Sequence, residues 1–141
     1  MRVERDLMIE APIERVWKVL TDPRHFTEWY ASGGAEIDLR PGGRMVMRWE
    51  EHGEFLAVVE RVDAPRLFAY RFARVPDAPP KIGNSTVATF TLTEEAGGTR
   101  VRVVETGFEE LAISEDERDA YAEIERQGWA AGLASLRARS L

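Results

Sequence analysis

The chain has 141 residues, no cysteine and a formal net charge of −6 at pH 7. That length suits one domain, residues 1–141, around a single hydrophobic core, and the missing cysteines exclude a disulfide framework and a thiolate metal site. No stretch approaches the roughly eighteen apolar residues of a membrane span, no signal-like run follows the charged start, and no basic stripe with interleaved aromatics faces phosphates. A cytoplasmic protein is expected, with no membrane insertion and no nucleic-acid partner.

Val3 to Glu10 mixes apolar and charged positions as a first strand does, and Ala11-Pro12 ends it with proline placed for a helix's first turn. Ile13, Val16, Trp17 and Leu20 then recur at helical spacing. Thr21-Asp22-Pro23 breaks that pattern before a second short helix from Arg24 to Trp29 or Tyr30. After Ala31-Ser32-Gly33-Gly34 the period changes from helical to alternating, and five or six strand candidates follow. They are Ala35 to Leu39, Arg44 to Trp49, Glu54 to Val62, Arg66 to Arg74, Ser85 to Thr93 and Thr99 to Thr106. The alternation puts Met45, Met47 and Trp49 on one face, as it does Phe68, Tyr70 and Phe72, then Ala88, Phe90 and Leu92, then Val101 and Val103. Val75 to Asn84, with three prolines and one glycine, is the longest loop and a natural rim.

The last element, Ser114 to Leu141, reads as one long helix. Ser114 with Glu117 three residues on makes a capping box, and Glu115, Asp116 and Asp119 suit the positive end of the helix dipole. At 100° per residue, Tyr121, Ile124, Gly128, Trp129, Gly132, Leu133, Ser135 and Leu136 form a broad stripe expected to be buried, with Glu125 outside it. Gly128, Gly132 and Ser135 leave the stripe without bulk, either for close backbone packing or for a ligand; ligand space is slightly favoured at Gly132. Glu109 to Arg126 carries eight acids against two arginines, which reads as a solvated helix face. The order of elements predicts an α+β fold: a strongly curved antiparallel sheet of six to seven strands around the long C-terminal helix, with two short helices after strand 1.

Few residues offer chemistry. His25 and His52 belong to no metal-spaced cluster, so no metal site and no cofactor are expected; His25 reads as a turn or capping residue, His52 as a hairpin tip. Glu105 continues the inward alternation of Val101 and Val103, which carries a carboxylate onto the covered face, where burial raises its pKa unless a donor satisfies it. A partly exposed strand-end carboxylate in a structural salt bridge is the favoured reading, and a polar anchor or weak catalytic candidate the alternative. Trp29, Trp49, Phe68, Tyr70, Phe72, Phe90, Trp129 and Leu133 are core residues with a second use as a ligand cage, and Met45 and Met47 suit a deformable wall.

Three segments carry a family resemblance: Ile9 to Tyr30, with Ala11-Pro12, Val16-Trp17, Leu20-Thr21-Asp22-Pro23 and Trp29-Tyr30; Gly53 to Tyr70, containing Val62-Asp63-Ala64-Pro65-Arg66-Leu67; and Gly98-Thr99-Arg100 through Thr106-Gly107-Phe108, followed by Gly128-Trp129, Leu133 and Leu136. The chain resembles the helix-grip domains of the START-like, major-pollen-allergen superfamily, and within it the bacterial relatives of the activator of heat-shock-protein ATPase. The resemblance implies a helix-grip fold and a hydrophobic internal cavity without shared catalytic machinery. The leading expectation is a non-catalytic module that holds a small hydrophobic or amphipathic molecule. A cyclase- or hydrolase-like enzyme using a cavity carboxylate, and an interaction module with a chaperone partner, remain open, as does a homodimer.

Overall fold

The computed structural model describes all residues from Met1 to Leu141. Strand β1 (Val3–Ile9) leads into helices α1 (Ile13–Thr21) and α2 (Pro23–Trp29). Strands β2 (Gly34–Ile37), β3 (Arg44–Trp49), β4 (Gly53–Asp63), β5 (Leu67–Ala73), β6 (Ser85–Glu95) and β7 (Gly98–Thr106) then succeed one another. A 3₁₀ turn (Phe108–Glu110) precedes helix α3 (Glu115–Ser140). The strands form one antiparallel sheet ordered β1-β7-β6-β5-β4-β3-β2. The two short helices therefore carry the chain from one edge of the sheet to the other. This is the expected helix-grip architecture, with seven strands.

Local chemistry sets the ends. The α2 cap is the side chain of Asp22, which accepts from the Arg24 backbone N–H at 2.9 Å, with Pro23 at the first helical position. His25 thus sits inside the first turn of α2, with a buried ring nitrogen that has no hydrogen-bond partner. At α3, Ser114 Oγ accepts from the Glu117 N–H at 3.1 Å and the Glu117 carboxylate reaches back, completing the capping box. Gly98 starts β7 where a Cβ would lie 2.5 Å from the Ile9 carbonyl oxygen, so only glycine lets β7 begin against the end of β1. A register shift in the β4–β5 pairing between Val59 and Arg61 marks a bulge, the device that bends a sheet around a helix.

The alternation read from the sequence holds in the core. Met45, Met47, Phe68, Tyr70, Phe72, Ala88, Phe90, Leu92, Val101 and Val103 are all buried in one cluster with Trp29, Trp129, Leu133 and Leu136. The expected stripe on α3 needs correction. Its buried residues are Ala122, Trp129, Gly132, Leu133, Leu136 and Ser140, whereas Gly128 and Ser135 are exposed and Ile124 is 65% exposed. The covered sector is rotated away from Ile124 and toward Glu125, which is half-buried. At 100° per residue, Glu125 lies close in angle to Trp129 and Leu136, and Ile124 lies nearly opposite Leu133.

Candidate functional site

Helix α2 ends in the Trp29-Tyr30 pair, and these two rings fill the middle of the space between sheet and α3. Trp29 stacks on Tyr30 at 5.1 Å, and Tyr30 stacks on Trp129 at 5.2 Å with the planes 12° apart. Phe90 meets the edges of Trp29 and Trp129, and Tyr70 and Phe68 lie against Phe90. The Trp29 indole N–H donates to the Val19 carbonyl at 3.0 Å, fixing α2 to α1. A Cβ added at Gly132 would stand 3.5 Å from both Trp29 and Tyr30, an ordinary van der Waals contact. The missing side chain at Gly132 is therefore occupied by aromatic rings, contrary to the expectation of ligand space there. Gly132→Leu is expected to drive its branched end into this stack and cost about 1–3 kcal/mol, read as a lowered melting temperature; Gly132→Ala should fold normally.

Open space lies further along α3, toward its amino-terminal half. A pocket of about 250 Å³ is lined by Tyr30, Met47, Trp49, His52, Phe55, Phe72, Ala73, Arg74, Tyr121, Ile124 and Glu125. Strands β3, β4 and β5 supply its floor, the β3–β4 hairpin tip supplies His52 at the rim, and α3 supplies the opposite wall. Trp49 is fixed by its indole N–H, which donates to the Tyr30 carbonyl at 3.1 Å, and its ring meets Tyr30 and Phe55 edge to face. Among the residues singled out from sequence, Met47, Trp49 and Phe72 line this pocket. Trp29, Met45, Phe68, Tyr70, Phe90, Glu105, Trp129, Gly132 and Leu133 do not; they pack beneath or beside it. Tyr121 and Ile124, expected on the buried stripe of the helix, and His52, expected at the hairpin tip, line it too, whereas Tyr30, Phe55, Arg74 and Glu125 carried no sequence signal for it. Each stands at the end of an element or beside a charge, and only the tertiary arrangement brings them together.

Behind the pocket wall is a carboxyl pair. Glu105 is completely buried; its Oε1 accepts from the Trp129 indole N–H at 2.7 Å and its Oε2 from the Thr86 hydroxyl at 2.6 Å. These donors are not the Arg or Tyr the sequence suggested, and a fully buried carboxyl with no salt bridge replaces the partly exposed, salt-bridged strand end expected from the sequence. Burial, and then the neighbouring Glu125 carboxylate, push the Glu105 carboxyl well above its ordinary value, against the opposing Thr86 and Trp129 hydrogen bonds. Burial likewise raises Glu125, opposed by hydrogen bonds from Glu105 and Tyr121. Two carboxyls so placed share a proton, because the second charge repels the first in a medium that screens poorly. Glu105, the more deeply buried of the two, is pushed up the more strongly, while Glu125 faces the pocket and accepts from the Tyr121 hydroxyl at 3.3 Å. The buried Tyr70 hydroxyl has no hydrogen-bond partner, and burial with the field of these acids raises its pKa strongly.

The family model described as "Activator of Hsp90 ATPase homolog 1-like protein" matches residues 10–140. The chain belongs to this family. Its fold is shared by the crystal structure of protein MLL2253 from Mesorhizobium loti, with 24% identity, a TM-score of 0.80 and coverage of 99% of this chain and 96% of that one. Protein NE0264 from Nitrosomonas europaea is similar at 21% identity and a TM-score of 0.77, over 99% and 93% of the two chains. The solution structure of BH1534 from Bacillus halodurans covers 100% and 97% at 19% identity and a TM-score of 0.79. A search among curated proteins finds no significant match. Membership in this helix-grip family makes the chain a ligand-binding or interaction module in general terms, and no helix is long and apolar enough to cross a membrane.

Proposed function

We propose that the chain is a non-catalytic binding module that holds one small, largely apolar molecule in the pocket between β3, β4, β5 and the first half of α3. The observation that carries this reading is the lining: eight of its eleven residues are hydrophobic, and the other three, His52, Arg74 and Glu125, are polar groups at defined positions. Apolar walls with a few placed polar groups are the usual make-up of a ligand site. A volume of about 250 Å³ lies just below the common range, so the ligand is small, on the scale of one or two rings. Met47 provides an adaptable wall, and Trp49 and Phe72 provide flat faces. A binding role fits better than an enzymatic one through Glu105, because that carboxyl is sealed behind Trp129 and Thr86 and does not line the pocket.

A neutral naphthyl fluorophore tests the reading directly. It is expected to bind with one-to-one stoichiometry and to quench Trp49, a quench that Trp49→Leu removes. Ile124→Asp places a charge at the exposed rim, so it should weaken binding while leaving the melting temperature nearly unchanged, as surface substitutions usually do. Absence of saturable binding would sink the proposal and leave protein interaction as the better account.

A further inference from the structure

Arg74 stands in the pocket wall at the end of β5, where the loop to β6 begins, and its backbone N–H donates to the Asn84 carbonyl at 2.8 Å. That bond closes the loop at its base and fixes where the side chain starts. The guanidinium carbon lies 5.8 Å from the centre of the Tyr121 ring, within cation–π range. Tyr121 thereby separates two charges: its face carries the Arg74 cation and its hydroxyl serves the Glu125 carboxylate. Arg74 and Glu125 share the pocket but do not form one of the chain's salt bridges.

The two charged groups differ in what they have left to offer. Glu125 already accepts from the Tyr121 hydroxyl at 3.3 Å and neighbours the Glu105 carboxyl. Arg74 donates none of its side-chain N–H groups to an acceptor in the protein, whereas Arg71, on the same strand, gives Nε to Glu60 at 3.2 Å and Nη1 to Ser85 at 3.1 Å. An arginine keeps its charge at any ordinary pH and presents a planar fork of donors that matches a carboxylate. Arg74 is half-buried, so its donors stay free for a negatively charged acceptor that enters the pocket beside the aromatic walls.

Resting on the reading of the pocket as a ligand site, we propose that its ligand is a small aromatic or aliphatic carboxylic acid, with the carboxylate received by Arg74 and the apolar body lying against Trp49, Phe55 and Phe72. The acid end points toward the loop and His52, away from Glu125, which excludes a ligand with its anion at the other end. Glu125 then sets selectivity by repelling a reversed acid, and Tyr121 holds Arg74 in place through its ring.

Three probes with one apolar body separate the alternatives: 3-phenylpropanoate, 3-phenylpropanamide and 3-phenylpropylamine, each competing with the naphthyl fluorophore at neutral pH and low salt. The carboxylate is expected to displace the fluorophore at a concentration about tenfold lower than the amide, and the amine to be weakest, since charge-assisted hydrogen bonds are roughly twice as strong as neutral ones. Arg74→Gln should bring carboxylate and amide together by weakening the carboxylate far more than the amide, and Arg74→Lys should keep part of the preference. Melting curves of both variants establish that they are folded. If the fluorophore binds but the three probes are equivalent, the amine is strongest, none displaces it, or Arg74→Gln keeps the carboxylate preference, the acid-ligand inference is overturned while the pocket reading stands. If the fluorophore itself does not bind, both fall.

Discussion

Trp129→Ala is expected to cost about 3–5 kcal/mol, the usual range for removing a buried tryptophan, and to leave the protein largely unfolded at moderate temperature. Trp129 is 1% exposed and is the largest of the fully buried side chains. Its ring is clasped between Tyr30, stacked at 5.2 Å, and Phe90, edge-on at 5.5 Å, so the substitution takes a partner from α2 and one from β6 together. Its indole N–H also satisfies Glu105 Oε1. Trp129→Phe keeps one six-membered ring for stacking but loses the donor and the smaller ring of the indole; a cost of about 1–3 kcal/mol, below that of Ala, is expected. Chemical denaturation of the two variants beside wild type checks the order. Equal costs for Ala and Phe would mean that the hydrogen bond, and not the packing, dominates at this position.

The sheet was legible because its strands obey a period of two with few exceptions. Phe68, Tyr70 and Phe72 alternate with Ala69 and Arg71, and the same rule extended past Val101 and Val103 places Glu105 inside, as the structure finds. Helix α3 was legible in its limits and its cap but not in its buried face. Ile124 looked inward by hydrophobicity and is exposed; Glu125 looked outward by charge and lies against Glu105. A hydrophobic stripe assigns each residue by its own transfer preference, whereas here the Glu105 carboxyl, raised by burial, and the Tyr121 hydroxyl make an inward carboxylate tolerable. The glycines misled for a related reason. Gly128 has nothing beyond its own helix within 4 Å of where its Cβ would be, and Gly132 faces rings from α2 that no pattern within α3 reveals. The pocket was the least legible feature. It is made where the β3, β4 and β5 ends meet α3, from Tyr30, Phe55, Arg74 and Tyr121, residues whose proximity depends on sheet curvature and not on any local period.

The carboxyl pair predicts a pH dependence whose sign follows from its surroundings. Glu105 has its carboxyl raised above the ordinary value of 4.5, chiefly by burial, and Glu125 is raised as well. Between 4.5 and the raised folded-state value, the native protein keeps a proton that the unfolded chain has released. Stability from this pair is therefore fully present below 4.5 and is lost as pH rises through the folded-state value, by up to about 1.4 kcal/mol per pH unit for each proton retained. Glu105→Gln imitates the protonated form: its carbonyl oxygen still accepts from Trp129, its amide donates toward Glu125 as the carboxyl proton does, and the Thr86 hydroxyl turns to accept from the amide instead of donating. The Gln variant is expected to match wild type in mild acid and to exceed it increasingly toward alkaline pH. Glu105→Ala removes both acceptors instead, stranding the Trp129 N–H and the Thr86 hydroxyl, at about 1–3 kcal/mol for each buried donor left without a partner. Denaturation of the three proteins across a pH series decides the matter. A wild type that gains stability relative to Glu105→Gln as pH rises would show that Glu105 is ionised in the native state, and that the hydrogen bonds from Trp129 and Thr86 outweigh the cost of burying its charge.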